Sequence, residues 1–143
     1  MSANESGILN DIRDHEVAHR DFLREALGDK GIGNLKVDFS VVNFSNRRSV
    51  LTTARTFEDL GVSAYNGAGK LLKSSDYLAA AGKIVSVEAR HAATIRHMLQ
   101  PLSEAFSGSD VVDGNGLDKA RSPSAVLKAV KPFIKTPVTM SSL

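Results

Sequence analysis

The chain has 143 residues, 42% hydrophobic and 24% charged, with 11 glycines and 4 prolines, which is enough for one folded domain but not two. Eighteen basic against sixteen acidic residues leave a charge of +2, and no basic block is interleaved with aromatics, so nucleic acid is not an expected partner. With no cysteine, disulfides, thiolate zinc sites, iron–sulfur clusters and thiol nucleophiles are excluded.

The opening segment MSANESGILNDIRD lacks the apolar run of a signal peptide, and no apolar stretch approaches a membrane span. These features predict no membrane partner and leave the location open, with the cytoplasm as the default. A helix is expected over 8–27, where Ile8, Ile12, Leu23 and Leu27 recur at helical spacing and Gly28 supplies a stop. Residues 28–46 read as a crossover loop. A second helix starts at Ser45 or Asn46 and runs to about Lys73, with an inward stripe of Leu51, Ala54, Glu58, Gly61, Tyr65, Ala68 and Leu72. Gly61, Gly67 and Gly69 each weaken helix propensity by about 1 kcal/mol relative to Ala, which implies either tight packing against a neighbour or a looser helix end. Lys73-Ser74-Ser75-Asp76 forms a turn. A third helix over 77–100 stops at Pro101, with a stripe of Leu78, Ala81, Val85, Glu88, His91 or Ala92, Ile95 and Leu99. The composition of 107–116 predicts a flexible linker, Ser122-Pro123 opens a short helix ending near Lys131, and 136–143 is expected to trail. The expected fold class is all-α, three long antiparallel helices plus a short C-terminal one. Residues 1–106 form the helical domain, and 107–143 supply linker, helix and tail.

The informative residues interrupt the apolar stripes. Glu16 and His19 lie between Ile12 and Leu23, Glu58 follows Leu51 and Ala54, and Glu88 and His91 follow Ala81 and Val85. Glu16-Val17-Ala18-His19 and Glu88-Ala89-Arg90-His91 share the spacing Glu-x-x-His, which stacks both side chains on one helix face. An ionised carboxylate buried without compensation costs several kcal/mol, and a pair of divalent cations would supply that compensation. Carboxylate with imidazole suits iron, manganese or zinc. The plainer alternative places these residues in surface ion pairs with Arg13, Arg55 or Arg90. Two copies of the motif, with a third glutamate between them, favour the metal.

The phrases RDHEVAHRDFLREALG (13–28), TFEDLGVSAYNGA (56–68) and VSVEARHAATIRHML (85–99) resemble the bacterial ferritin-like family that includes desiccation-related proteins. The resemblance spans about 8–100 and implies a four-helix bundle with a dinuclear metal site between its helices. It implies metal ligation by Glu16, His19, Glu58, Glu88 and His91, and a ferroxidase-type or stress-related role. In the expected arrangement Glu58 and Glu88 bridge two divalent ions, iron foremost, while Glu16, His19 and His91 are terminal. The family's usual first helix, carrying one more glutamate, has no counterpart before Ile8. Glu5 is too near the terminus to replace that glutamate, and homodimerisation is the expected way to cover the exposed face. A metal-free interaction module on the same bundle is the alternative.

His15-Glu16-Val17-Ala18-His19 also matches the His-Glu-x-x-His zinc hydrolase signature, in which His15 and His19 would bind zinc. That reading leaves Glu58, Glu88 and His91 without a role. In the bundle reading His15 is the outward neighbour of Glu16. Asp113-Gly114-Asn115-Gly116 lacks the first and twelfth ligands of an EF-hand and reads as a loop.

Overall fold

A computed structural model describes residues 1–138, and its backbone is helical: α1 (Ala3–Leu27), α2 (Arg47–Gly69), α3 (Ser75–Leu99) and α4 (Pro123–Val130). Each helix begins where a short polar side chain satisfies a free N–H group. Asn46 accepts from the Ser49 N–H at 3.1 Å, Ser74 from Tyr77 at 3.3 Å and Ser122 from Ala125 at 3.3 Å. Helix α1 starts five residues before the position expected from its apolar repeat. Ser2 and Glu5 form a capping box, with the Ser2 hydroxyl accepting the Glu5 N–H and the Glu5 carboxylate accepting the Ser2 N–H. Glu5 is therefore a working helical residue, and it also pairs with Arg47.

Two clips set the topology. The Arg47 guanidinium joins Glu5 and donates to the Met98 carbonyl at 2.8 Å, gathering the starts of α1 and α2 with the end of α3. At the opposite end the Tyr77 hydroxyl donates to the Ala26 carbonyl at 3.2 Å, joining the start of α3 to the end of α1. Helices α1 and α2 thus run parallel, and α3 is antiparallel to both. The expectation of uniformly antiparallel neighbours fails because 28–46 carries the chain back along the bundle before α2 starts.

The apolar core lies at the Arg47 end, where Ile12, Leu51, Ile95 and Met98 meet and Leu9, Ala54 and Leu99 pack around them. Leu51 and Ile95 are fully buried, each contributing about 1.5–3 kcal/mol. A second cluster pins the crossover to α2 and to the turn after α4. In it Phe57 meets Phe133 edge-on with centroids 4.9 Å apart, and Phe39 packs 5.9 and 5.7 Å from the two rings.

The segment expected to be a flexible linker is anchored at several points. Arg96, almost wholly buried, forms paired bonds to Asp59 (2.8 and 2.7 Å) and Asp110 (3.1 and 2.7 Å) and donates to the Ala105 carbonyl. Further on, the Arg121 N–H donates to the Ser63 carbonyl at 2.8 Å. Residues expected to trail are also tied, since the Thr136 hydroxyl accepts from the Lys36 N–H at 2.7 Å. Residues 139–143 of that expected tail lie outside the described part.

Gly67 permits the close approach of 121 to α2, since a Cβ there would stand 1.8 Å from the Arg121 carbonyl oxygen. Gly67→Ala is expected to destabilise the chain by about 1–3 kcal/mol because a backbone must move. Gly82→Ala, where the added carbon meets nothing within 4 Å, is expected to stabilise it by about 0.5–1 kcal/mol. Urea denaturation followed by circular dichroism measures both.

Candidate metal centre

Halfway along the bundle, the middle turns of three helices face one another. Glu16 and His19 come from α1, Glu58 from α2, and Glu88 and His91 from α3. The i, i+3 spacing turns each Glu-x-x-His pair toward this meeting point, and Gly61 leaves room for it, since a Cβ there would lie 3.4 Å from Glu88 Oε2. Glu58, Glu88 and His91 are buried, at 8%, 5% and 6% exposure. One ligand atom from each of Glu16, Glu58, Glu88 and His91 lies within 4.8 Å of all the others. His19 Nδ1 adjoins the group, 3.5 Å from Glu16 Oε1 and 3.3 Å from Glu88 Oε1.

The chemistry of these atoms fits a cation. Glu16 Oε1, His19 Nδ1, Glu58 Oε2 and His91 Nδ1 are all buried, and none has a hydrogen-bond partner. His91 Nδ1 stands 3.2 Å from Glu16 Oε1 and 3.4 Å from Glu58 Oε2, but the atoms face a shared centre at angles unsuited to hydrogen bonding. Buried polar atoms are almost always paired, so four unpaired ligand atoms in one place call for a cation. Around an ion with bonds of about 2.0–2.2 Å, opposite ligand atoms lie about 4.4 Å apart, close to the span found.

Protons partly stand in for that charge. Burial, then the nearby Glu16 and Glu58 carboxylates, push the Glu88 carboxyl up from 4.5 to about 8. Burial by itself would depress His91, but Glu16 and Glu58 outweigh it and raise the imidazole to about 9. Glu16 moves down instead, held ionised by its contact with His91 against the opposing effect of burial. Tyr65, half-buried beside the cluster, is raised to about 12 by burial and then by the charges of Glu88 and Glu16, so its phenol stays neutral.

All five residues singled out by pattern are brought together. The carboxylate oxygen between the two imidazoles is Glu16 Oε1, while Glu58 Oε2 contacts His91 and Glu88 Oε1 contacts His19. His15 does not simply point outward. Its Nδ1 lies 3.0 Å from His91 Nε2, with the rings stacked 5.2 Å apart at 6°. That contact lets His91 carry its proton on Nε2 and leave Nδ1 free for a cation. The His-Glu-x-x-His zinc reading is disfavoured, because Glu16 sits among the ligand atoms rather than standing apart as a base. The His-Glu-x-x-His spacing singles out His15, but no spacing identifies its pairing with His91, which lies on another helix.

A family model described as a ferritin-like domain matches residues 1–101. The chain belongs to the ferritin-like domain family. No curated protein matches the chain. In this ferritin-like bundle the matched region covers α1 to α3 and therefore every residue of the Glu/His cluster.

The shifted groups predict an unusual pH dependence for the chelator-treated protein. The stabilisation from His91 is complete below its unfolded value of 6.5 and is lost as pH rises through about 9. Glu88 keeps a proton between 4.5 and about 8 that the unfolded chain has released, so stability again falls as pH rises. Each proton contributes a slope of about 1.4 kcal/mol per pH unit within its window. Glu16 acts oppositely, its contribution disappearing only as the pH falls below about 4.5. Urea midpoints are expected to decline steadily from about pH 5 to about pH 9, and a rise over that range would contradict the arrangement.

Proposed function

We propose that this ferritin-like chain binds two divalent ions, iron foremost and manganese or zinc as substitutes, at Glu16, His19, Glu58, Glu88 and His91. The observation that carries this reading is the set of four buried ligand atoms without partners. Bound iron would supply electrons for the reduction of dioxygen, giving ferroxidase-type chemistry. Around it, the carboxylates stabilise the more highly charged oxidised ion, and His15 holds the His91 ring in place. A cavity of about 170 Å³, lined by Leu23, Tyr65, Leu72 and Ile84 among others, lies between the helix ends one turn from Glu88 and suits a small apolar oxidant. Limiting free Fe(II) during stress such as drying follows from that chemistry.

The proposed working form is a homodimer. The chain exposes 9665 Å², whereas a compact monomer of 15.3 kDa exposes about 7,100 Å². Part of the excess is apolar: Val17, Phe22 and Leu27 of α1 are 41–48% exposed. A standard dimer interface removes about 800 Å² from each partner, roughly a third of that surplus. Light scattering is expected to give twice 15.3 kDa, and a mass of one chain would contradict the dimer.

Metal binding is tested by loading the purified chain with Fe(II) without oxygen, desalting it and measuring iron. Wild type is expected to retain iron and, on admission of air, to oxidise it faster than buffer does. Glu58→Ala is expected to weaken retention at least about 10-fold while remaining helical. A wild-type chain that retains none of the three metals would leave the metal-free interaction module as the better account.

A further inference from the structure

At the end of the bundle away from the Leu51–Ile95 core, packing is incomplete. Four wall residues of the cavity there are alanines (Ala26, Ala68, Ala80 and Ala81), too small to fill its space of about 170 Å³. Three other lining residues, Phe22, Leu27 and Tyr77, are 46–50% exposed, so the cavity opens to water through them. Leu71 and Leu78, chain neighbours of the lining residues Leu72 and Tyr77, are exposed too. An open apolar hole inside an apolar surround marks a docking surface, because both are unfavourably hydrated while they stay uncovered.

Two observations select a second copy of the chain as the occupant. The chain around this mouth carries both signs, Arg20, Arg24 and Lys73 against Asp21, Glu25 and Asp76, all exposed. A face of balanced charge can meet itself across a two-fold axis, whereas an anionic surface would call for a rim of one sign. The surface in excess of a compact monomer is also more than one standard interface removes, so the chain has the area to give.

We propose that a second copy docks on this end of the bundle, so that each chain roofs the other's cavity. The inference rests on the homodimer proposed above and goes beyond it by placing the interface and giving it a task. Closing the mouth keeps water out of an apolar space that Tyr65 also lines, one turn from Glu88. A closed apolar cavity of about this size stays dry and admits small apolar molecules.

The chain itself supplies the probe. It has two tyrosines and no tryptophan, and both tyrosines line this cavity, so intrinsic fluorescence reports on it alone. Light scattering and acrylamide quenching of that fluorescence are followed together as the full-length chain is diluted. Quenching is expected to rise as the mass falls from twice 15.3 kDa to one chain. Phe22→Glu with Leu27→Glu is expected to give a single-chain mass at concentrations where wild type is dimeric. Val41→Glu with Phe44→Glu, in an exposed apolar part of the crossover that lines none of this cavity, is expected to remain dimeric. Circular dichroism confirms that the variants fold, and the wild-type dilution decides the matter without them. Quenching that does not change on dissociation, a dimeric Phe22/Leu27 variant or a monomeric Val41/Phe44 variant would overturn the placement while leaving the dimer intact. A wild-type chain that is monomeric at every concentration would overturn the dimer and the placement with it.

Discussion

Three carboxylates and two imidazoles meet in the middle of a small helical bundle, and the rest of the molecule depends on how that charge is compensated. Removing such groups from water costs several kcal/mol per ion unless opposite charge meets them. The chain itself offers two substitutes, a proton on His91 and one on Glu88, each group holding its proton well above its ordinary pH range. Those protons neutralise charge but leave four ligand atoms without partners. A divalent cation satisfies both requirements at once, whereas an apolar core of the same volume would be simpler to stabilise. The bundle has kept the costlier arrangement, as functional sites commonly do.

The surrounding structure reads as support for that centre. Helix α3 lies antiparallel to both other helices and contributes two of the five groups. Arg47 fixes its last turn, and Tyr77 fixes its first turn to α1. Arg96, one turn beyond His91, draws in Asp59 and Asp110 and so holds the 107–121 segment across α2 and α3. The apolar core at one end and the cavity at the other leave the polar groups in between, away from both helix ends. Helix α1 has one buried residue, Ile12, and exposes Val17, Phe22 and Leu27, so the least enclosed wall of the site is also the one with apolar surface to offer a partner.

The centre was legible in the amino-acid order because helical period is a local property. Glu-x-x-His puts two side chains on one face wherever the helix lies, and Glu58 sits in phase with Leu51 and Ala54. Glycine in α2 was likewise a sign of close packing, and Gly67 meets the Arg121 backbone. The early start of α1 was also readable, since Ser2-Ala3-Asn4-Glu5 is a capping box, but the apolar repeat drew attention to Ile8 instead. Contacts across long separations were not readable. His15 against His91, Arg96 against Asp110 and Phe39 against Phe133 depend on how helices and loops are arranged, and no spacing encodes that. Glu16 as the oxygen between two imidazoles is of the same kind, because both Glu-x-x-His pairs look equivalent until their helices are set side by side.

The most direct test of cation-compensated charge is a comparison of unfolding midpoints for wild type and Glu88→Gln, each with chelator and with excess Mn(II), at neutral pH. Removing one buried acid should make the chelated variant at least as stable as chelated wild type, and Mn(II) should raise the wild-type midpoint strongly but the variant's little. Midpoints that ignore Mn(II), together with a variant that is markedly less stable in chelator, would show that the cluster is a self-sufficient structural network and contradict the account.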